Sequence, residues 1–155
     1  PVPELLAHGV TVGLGTDGCA SNNNLDLLTE MDMAAKLHKI NAMDPTVMGA
    51  EKVLRMATIE GAKAMGIEDI TGSLEVGKKA DVILVDTAKP HLTPLYKPYS
   101  HLVYSARGND VSHSIINGQL VMENRKLTTI NLHEIMERAR EKSRDVKAWV
   151  AERTS

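Results

Sequence analysis

Asp17 stands where a side chain could do chemistry. It lies in Gly15-Thr16-Asp17-Gly18, between glycines that let the backbone turn sharply. The residues before it, Val10-Thr11-Val12-Gly13-Leu14, are rich in β-branched types and bounded by glycine, the pattern of a short buried strand. Asp17 then falls just past the strand's C-terminal end, which in parallel α/β folds is the end where ligands bind. On local grounds alone, an aspartate capping the following loop is the stronger reading, because Gly-Thr-Asp-Gly is short and common.

The other reactive side chains set limits. The six histidines are His8, His38, His91, His101, His113 and His133. None forms a His-x-His pair or a His-Glu-x-x-His helix motif. A catalytic zinc site needs about three protein ligands and an open position, and no such set is grouped here. Cys19 has no local base to make it a nucleophile and reads as a small packing residue. Ser21 lacks a Gly-x-Ser-x-Gly elbow, and the glycines form neither a dinucleotide fingerprint nor a Walker loop.

Composition narrows the class. The 155 residues are 43% hydrophobic and 25% charged, with net charge −2, no Phe and one Trp. A basic stripe and a stacking platform are both missing, so nucleic acid is not an expected partner. One cysteine points to a reducing, cytoplasmic setting. No apolar run approaches the ~18 residues of a membrane span, so a membrane is not an expected partner, and there is no signal peptide pattern. The chain opens Pro1-Val2-Pro3 without Met, as a cut inside a larger protein would.

Several elements must position Asp17. Residues 3–8 suit a short helix with Pro3 in its first turn and Gly9 at its end. A second helix should run from Asn22-Asn23-Asn24, any of which could cap it, to about Ile40, with Leu27, Met31, Ala34 and His38 making most of its apolar stripe. Asp44-Pro45 reads as cap and first position of a third, which continues to Gly66 with a break near Thr58 to Gly61. Residues 72–77 suit a short extended piece between turns. Residues 80–86 suit a strand covered on both faces. Pro90, Pro94 and Pro98 should leave residues 87–99 irregular. Residues 111–116 and 119–122 flank Asn117-Gly118, a type I′ hairpin turn. One more short strand is expected over 127–130, then a charged surface helix capped by Asn131.

Taken together, the motifs resemble the C-terminal part of an amidohydrolase-superfamily enzyme. The segment from Leu14 to Asn23, with Leu25-Asp26 and Glu30-Met31, is similar to the last barrel strand and the helix after it. Ala57-Thr58, Gly61-Ala62 and Ala64-Met65-Gly66 resemble the helix leaving the barrel. Gly72-Ser73-Leu74-Glu75-Val76-Gly77 through Asp81, then His101-Leu102-Val103-Tyr104, Asp110-Val111 and Asn117-Gly118, follow in family order. The closest branch is the S-adenosylhomocysteine/5-methylthioadenosine deaminases, near the chlorohydrolases.

The resemblance implies an α/β chain. Residues 1–70 would be the last strand and helices of a (β/α)8 metal-dependent hydrolase barrel. Residues 71–130 would be part of an accessory β-sandwich, and residues 131–155 a C-terminal helix. It implies a divalent metal, zinc or iron, held by a His-x-His pair, two further histidines and a final aspartate that Asp17 matches. That aspartate would bind metal and take a proton from the metal-activated water that deaminates an adenosine-like small molecule. The histidines and a catalytic glutamate would all lie upstream, so this chain alone is expected to bind metal poorly and be inactive. Truncation exposes strand edges and apolar faces, so a homo-oligomer with residues 10–14 paired to another copy or swapped is expected. The alternative is a non-catalytic, self-associating module derived from the same scaffold.

Overall fold

A core of three helices supports the Asp17 turn. The computed structural model describes residues 1–154. A short helix, α1 (Val2–Ala7), leads to Gly9, whose φ of +76° ends it. The next helix, α2 (Leu27–Ala42), is capped by Asp26 rather than by an asparagine. The Asp26 carboxylate accepts the Leu28 backbone N–H and the Thr29 hydroxyl, each at 3.0 Å. Its buried stripe is Leu28, Met31 and Ala35, so of the expected Leu27 set Met31 is buried and Ala34 packs part-buried against the core. Lys39, one turn beyond Ala35, instead sends its ammonium to the carbonyls of Val47 and Met48 at 2.8 and 2.7 Å, closing the loop after α2.

Asp44 caps no helix. Its Oδ1 accepts the Thr46 backbone N–H at 2.7 Å, an Asx turn, and α3 (Ala50–Met56) starts only after Gly49. The expected break is present: α3 stops at Met56 and α4 (Ile59–Ala64) begins after Thr58. Residues 87–99 are more ordered than three prolines suggested. Pro90 opens a 3-10 turn, Pro90–Leu92, and Pro98 opens α5 (Pro98–Tyr104), both at first-turn positions where a missing N–H costs nothing. Met31, Val53, Met56, Leu92 and Val103 form the fully enclosed centre between α2, α3 and α5. Burying such a side chain stabilises by about 1.5–3 kcal/mol.

Four strands, the first lying before α5 in the chain, form one antiparallel sheet of order β1-β2-β3-β4: β1 (Val82–Val85), β2 (Val111–Ile116), β3 (Gln119–Glu123) and β4 (Lys126–Leu127). Asn117 and Gly118 both have positive φ, +50° and +78°, as the type I′ turn requires. Asp81 clamps this corner, accepting the Asn117 N–H at 2.6 Å and the Thr71 hydroxyl at 2.7 Å. Residues 72–77 pair with no strand; a bend over 72–73 and a turn over 76–77 flank irregular backbone at Leu74-Glu75. Two expectations fail here. The last strand covers only two residues. And β1 is not covered on both faces, since Ile83 and Leu84 are about half exposed.

Residues 10–14 form no β-ladder. They run against the α3–α4 corner, where the Leu14 N–H donates to the Met56 carbonyl at 3.0 Å. A Cβ on Gly13 would lie 2.9 Å from Gly61 Cα, so glycine is needed for the close approach. A strand takes its ladder from neighbours, and the four strands of the sheet pair among themselves. The chain closes with α6 (Leu132–Thr154), entered through Asn131 Oδ1 accepting the Glu134 N–H at 3.3 Å, with no buried residue. No helix among the described residues is long and apolar enough to cross a membrane.

Candidate functional site

Asp17 sits on a left-handed turn between residues 10–14 and α2. Its φ is +58°, a conformation that costs a non-glycine residue roughly 1–2 kcal/mol. Neighbouring groups hold the side chain. The Gly18 backbone N–H donates to Oδ1 and the Ser21 hydroxyl to Oδ2, both at 2.7 Å. The Ser21 hydroxyl, and then the Gly18 N–H, lower the Asp17 pKa below the ordinary aspartate value. The carboxylate is therefore ionised at neutral pH, and it faces solvent.

A second layer lies behind the carboxylate. Asn22 Nδ2 donates to the Thr16 carbonyl at 2.9 Å and to Glu30 Oε1 at 2.7 Å, joining the turn to the first turns of α2. The sequence offers Asn22 as a possible helix cap and, with Glu30, as part of the family motif, but assigns neither a role at the site. The signal was present in three consecutive asparagines ahead of a capped helix, but which of them turns inward depends on Glu30. Cys19 is exposed on the same turn.

The histidines do not converge on Asp17. His91 pairs with Asp110 at 2.9 Å, His8 donates to the Glu4 carbonyl at 2.8 Å, and His113 meets the Ser112 hydroxyl at 2.9 Å. Among the described residues no three His, Cys, Asp or Glu side chains are grouped to hold a metal. Asp17 fits a metal as one ligand: it is anionic, solvent-facing, and each oxygen has lone-pair capacity beyond its single hydrogen bond. The remaining ligands would have to come from elsewhere.

A concavity of about 780 Å³ is lined by Gly13, Leu14, Ala62, Met65, Leu74 and Ile83 among others. It does not include Asp17, and its one carboxylate, Asp81, is already engaged at the hairpin corner. This is an uncovered apolar face rather than a place for hydrolytic chemistry.

The turn, its position ahead of α2 and the order of elements fit one family. The amidohydrolase family profile matches residues 1–121, and the chain belongs to that family. It is 60% identical over 147 residues to a 5-methylthioadenosine/S-adenosylhomocysteine deaminase of Syntrophobacter fumaroxidans, covering 95% of this chain and 34% of the relative. It is 51% identical to a 5′-deoxyadenosine deaminase of Methanosarcina barkeri, covering 94% of this chain and 33% of that protein. Among solved structures, a zinc-bound adenosine deaminase of Xanthomonas campestris superposes with a TM-score of 0.92 at 37% identity, over 96% of this chain and 34% of that one. The zinc-complexed atrazine chlorohydrolase TrzN of Arthrobacter aurescens superposes at 0.82 and 31% identity, over 89% of this chain and 31% of that one. The chain thus spans about a third of the length of these relatives.

Proposed function

We propose that this chain is the C-terminal portion of a metal-dependent amidohydrolase that hydrolytically deaminates an adenosine-type nucleoside. S-adenosylhomocysteine, 5-methylthioadenosine and 5′-deoxyadenosine are the candidate substrates, following the names its relatives carry. The observation that carries this reading is the Asp17 carboxylate, held ionised and solvent-facing by Ser21 and Gly18.

In this reading residues 1–70 complete a (β/α)8 barrel, residues 71–130 contribute to a β-sandwich, and residues 131–154 form the helix that follows. Asp17 would be one ligand of a divalent cation, zinc or iron. When bound, the cation supplies Lewis-acid activation of water near neutral pH. Asp17 accepts the proton that the attacking water gives up, its orientation fixed by Ser21 and Gly18. Water adds at the ring carbon bearing the amino group, the proton taken up by Asp17 passes on to the substrate, and the amino group, protonated, leaves as ammonia. The uncovered groove over Gly13, Leu14 and Ile83 supports a partial barrel, because soluble monomers rarely leave large contiguous apolar surface open.

The same surface also favours the second reading, a self-associating module without catalysis. Metal analysis and ammonia release from the three nucleosides, measured on the full-length protein, decide between them. Stoichiometric zinc or iron with turnover of order 1–1000 per second supports the enzyme; neither metal nor ammonia leaves the module. Residues 1–155 alone should retain little metal, show no deamination and scatter light as an oligomer.

A further inference from the structure

Resting on the metal-ligand reading of Asp17, we infer that Asn22 is a positioning residue that fixes the Asp17 backbone through the Thr16 carbonyl. Its half-buried side chain makes three hydrogen bonds at once. Nδ2 donates to the Thr16 carbonyl at 2.9 Å and to Glu30 Oε1 at 2.7 Å, while Oδ1 accepts the Asn24 backbone N–H at 3.2 Å. This combination needs two donor hydrogens and an acceptor on a short stem, which is a primary amide. Aspartate at this position would set a carboxylate against a carbonyl and a second carboxylate with no proton between them.

The Thr16 carbonyl matters because it belongs to the planar peptide that ends at the Asp17 nitrogen. Holding that carbonyl holds the plane, and the plane's orientation about the N–Cα bond is the Asp17 φ of +58°. Left-handed backbone persists at a non-glycine residue only where its surroundings over-determine it. The anchor is firm, since Glu30 follows the Asp26 cap and lies between the buried Leu28 and Met31 of α2. Ser21 and Gly18 orient the carboxylate itself; Asn22 orients the backbone that carries it. Misplacing a ligand by such a support typically costs 10–100-fold in metal affinity or activity.

Two substitutions in the full-length enzyme separate positioning from stability. Asn22→Asp removes both donated bonds. Adding Glu30→Gln restores the bond between positions 22 and 30 with the donor reversed, but not the bond to Thr16. The single variant should lower Tm, weaken zinc retention against a chelator about 10–100-fold, and lower kcat for ammonia release by a similar factor with KM changed far less. The double variant should regain Tm but neither zinc retention nor kcat. Recovery of zinc retention and kcat together with Tm, or their persistence in the single variant, overturns the inference. If Asn22→Asp does not fold, Asn22→Ala is assayed below its Tm and judged by the same losses. A wild-type protein that neither retains zinc nor releases ammonia removes the functional reading and Asn22 with it; an active wild type with unaffected Asn22 variants removes Asn22 alone.

Discussion

Asp17 and Asp110 both sit in tight turns, and both accept two close hydrogen bonds. The donors to Asp17 come from Gly18 and Ser21, within four residues, and each oxygen takes one. Asp110 takes both of its bonds on Oδ2, from the Arg107 backbone N–H and from His91 Nε2, each at 2.9 Å, and it is only 5% exposed. Its turn is locked from two further sides. Gly108 N–H donates to the Asp26 cap of α2 at 2.8 Å, and the Asp110 carbonyl accepts the Asp86 N–H at 2.8 Å just past β1. Distant parts of the chain thus tie down the Asp110 turn, which joins the helical core to the sheet. Local donors hold the Asp17 carboxylate, which faces outward. What distinguishes a ligand-ready carboxylate here is the origin of its donors and its exposure, not the number of bonds it accepts.

Substitutions can break this contrast. The largest expected effect is Asp17→Asn in the full-length protein, where losing the proton acceptor should reduce ammonia release about 10²–10⁴-fold. Its unfolding free energy, from urea titration of the metal-free protein, should stay within about 0.5 kcal/mol of metal-free wild type. A large stability loss would put Asp17 in the same class as Asp110. Asp110→Ala should do the reverse, costing about 2 kcal/mol by leaving the Arg107 N–H and the His91 ring without their acceptor. Gly13→Ala tests the surface beneath the Asp17 turn: a Cβ pressed against Gly61 should cost about 1–2 kcal/mol in the same titration.

The smallest effect concerns pH. Burial raises the Asp110 and Asp26 pKa values, but His91 and the Arg107 N–H at Asp110, and Gly108, Thr29 and Leu28 at Asp26, lower them further, leaving both below the ordinary value. Their stabilisation is therefore complete above a pH of about 4, the ordinary carboxylate range, and lost as pH falls through the lower folded-state values. Tm followed downward from pH 6 should drop in that acid window. Asp26→Asn and Asp110→Asn should flatten the drop, and Asp17→Asn should change it least.

Features written in short stretches of sequence were legible. The Asn117-Gly118 hairpin, the break at Thr58 and the extent of α2 follow from turn chemistry and helical period. Asp44 misled because an Asx turn and a helix cap share the same local signature. Pro90 and Pro98 misled because proline breaks a helix inside it but suits its first turn. The pattern of residues 10–14 is that of a strand, yet a ladder depends on neighbours that pattern cannot supply. Asp17 was singled out by the order of distant motifs, since its own tetrapeptide is common. Asn22, Asp26 and Asp110 owe their roles to Glu30, Gly108 and His91, partners that only folding brings within reach.

The terminal helix α6 shelters nothing, and this governs how its order is renewed in time. Because none of its residues is buried, its hydrogen bonds can open without disturbing the core. Its amide protons should exchange through local helix–coil fluctuation, on the order of 0.1–1 μs for a segment of this length. Those of α2 and α3 should exchange only through openings that expose Met31 and Val53. Deuterium would then enter the chain from its C-terminal end, leaving the scaffold beneath Asp17 among the last parts to label.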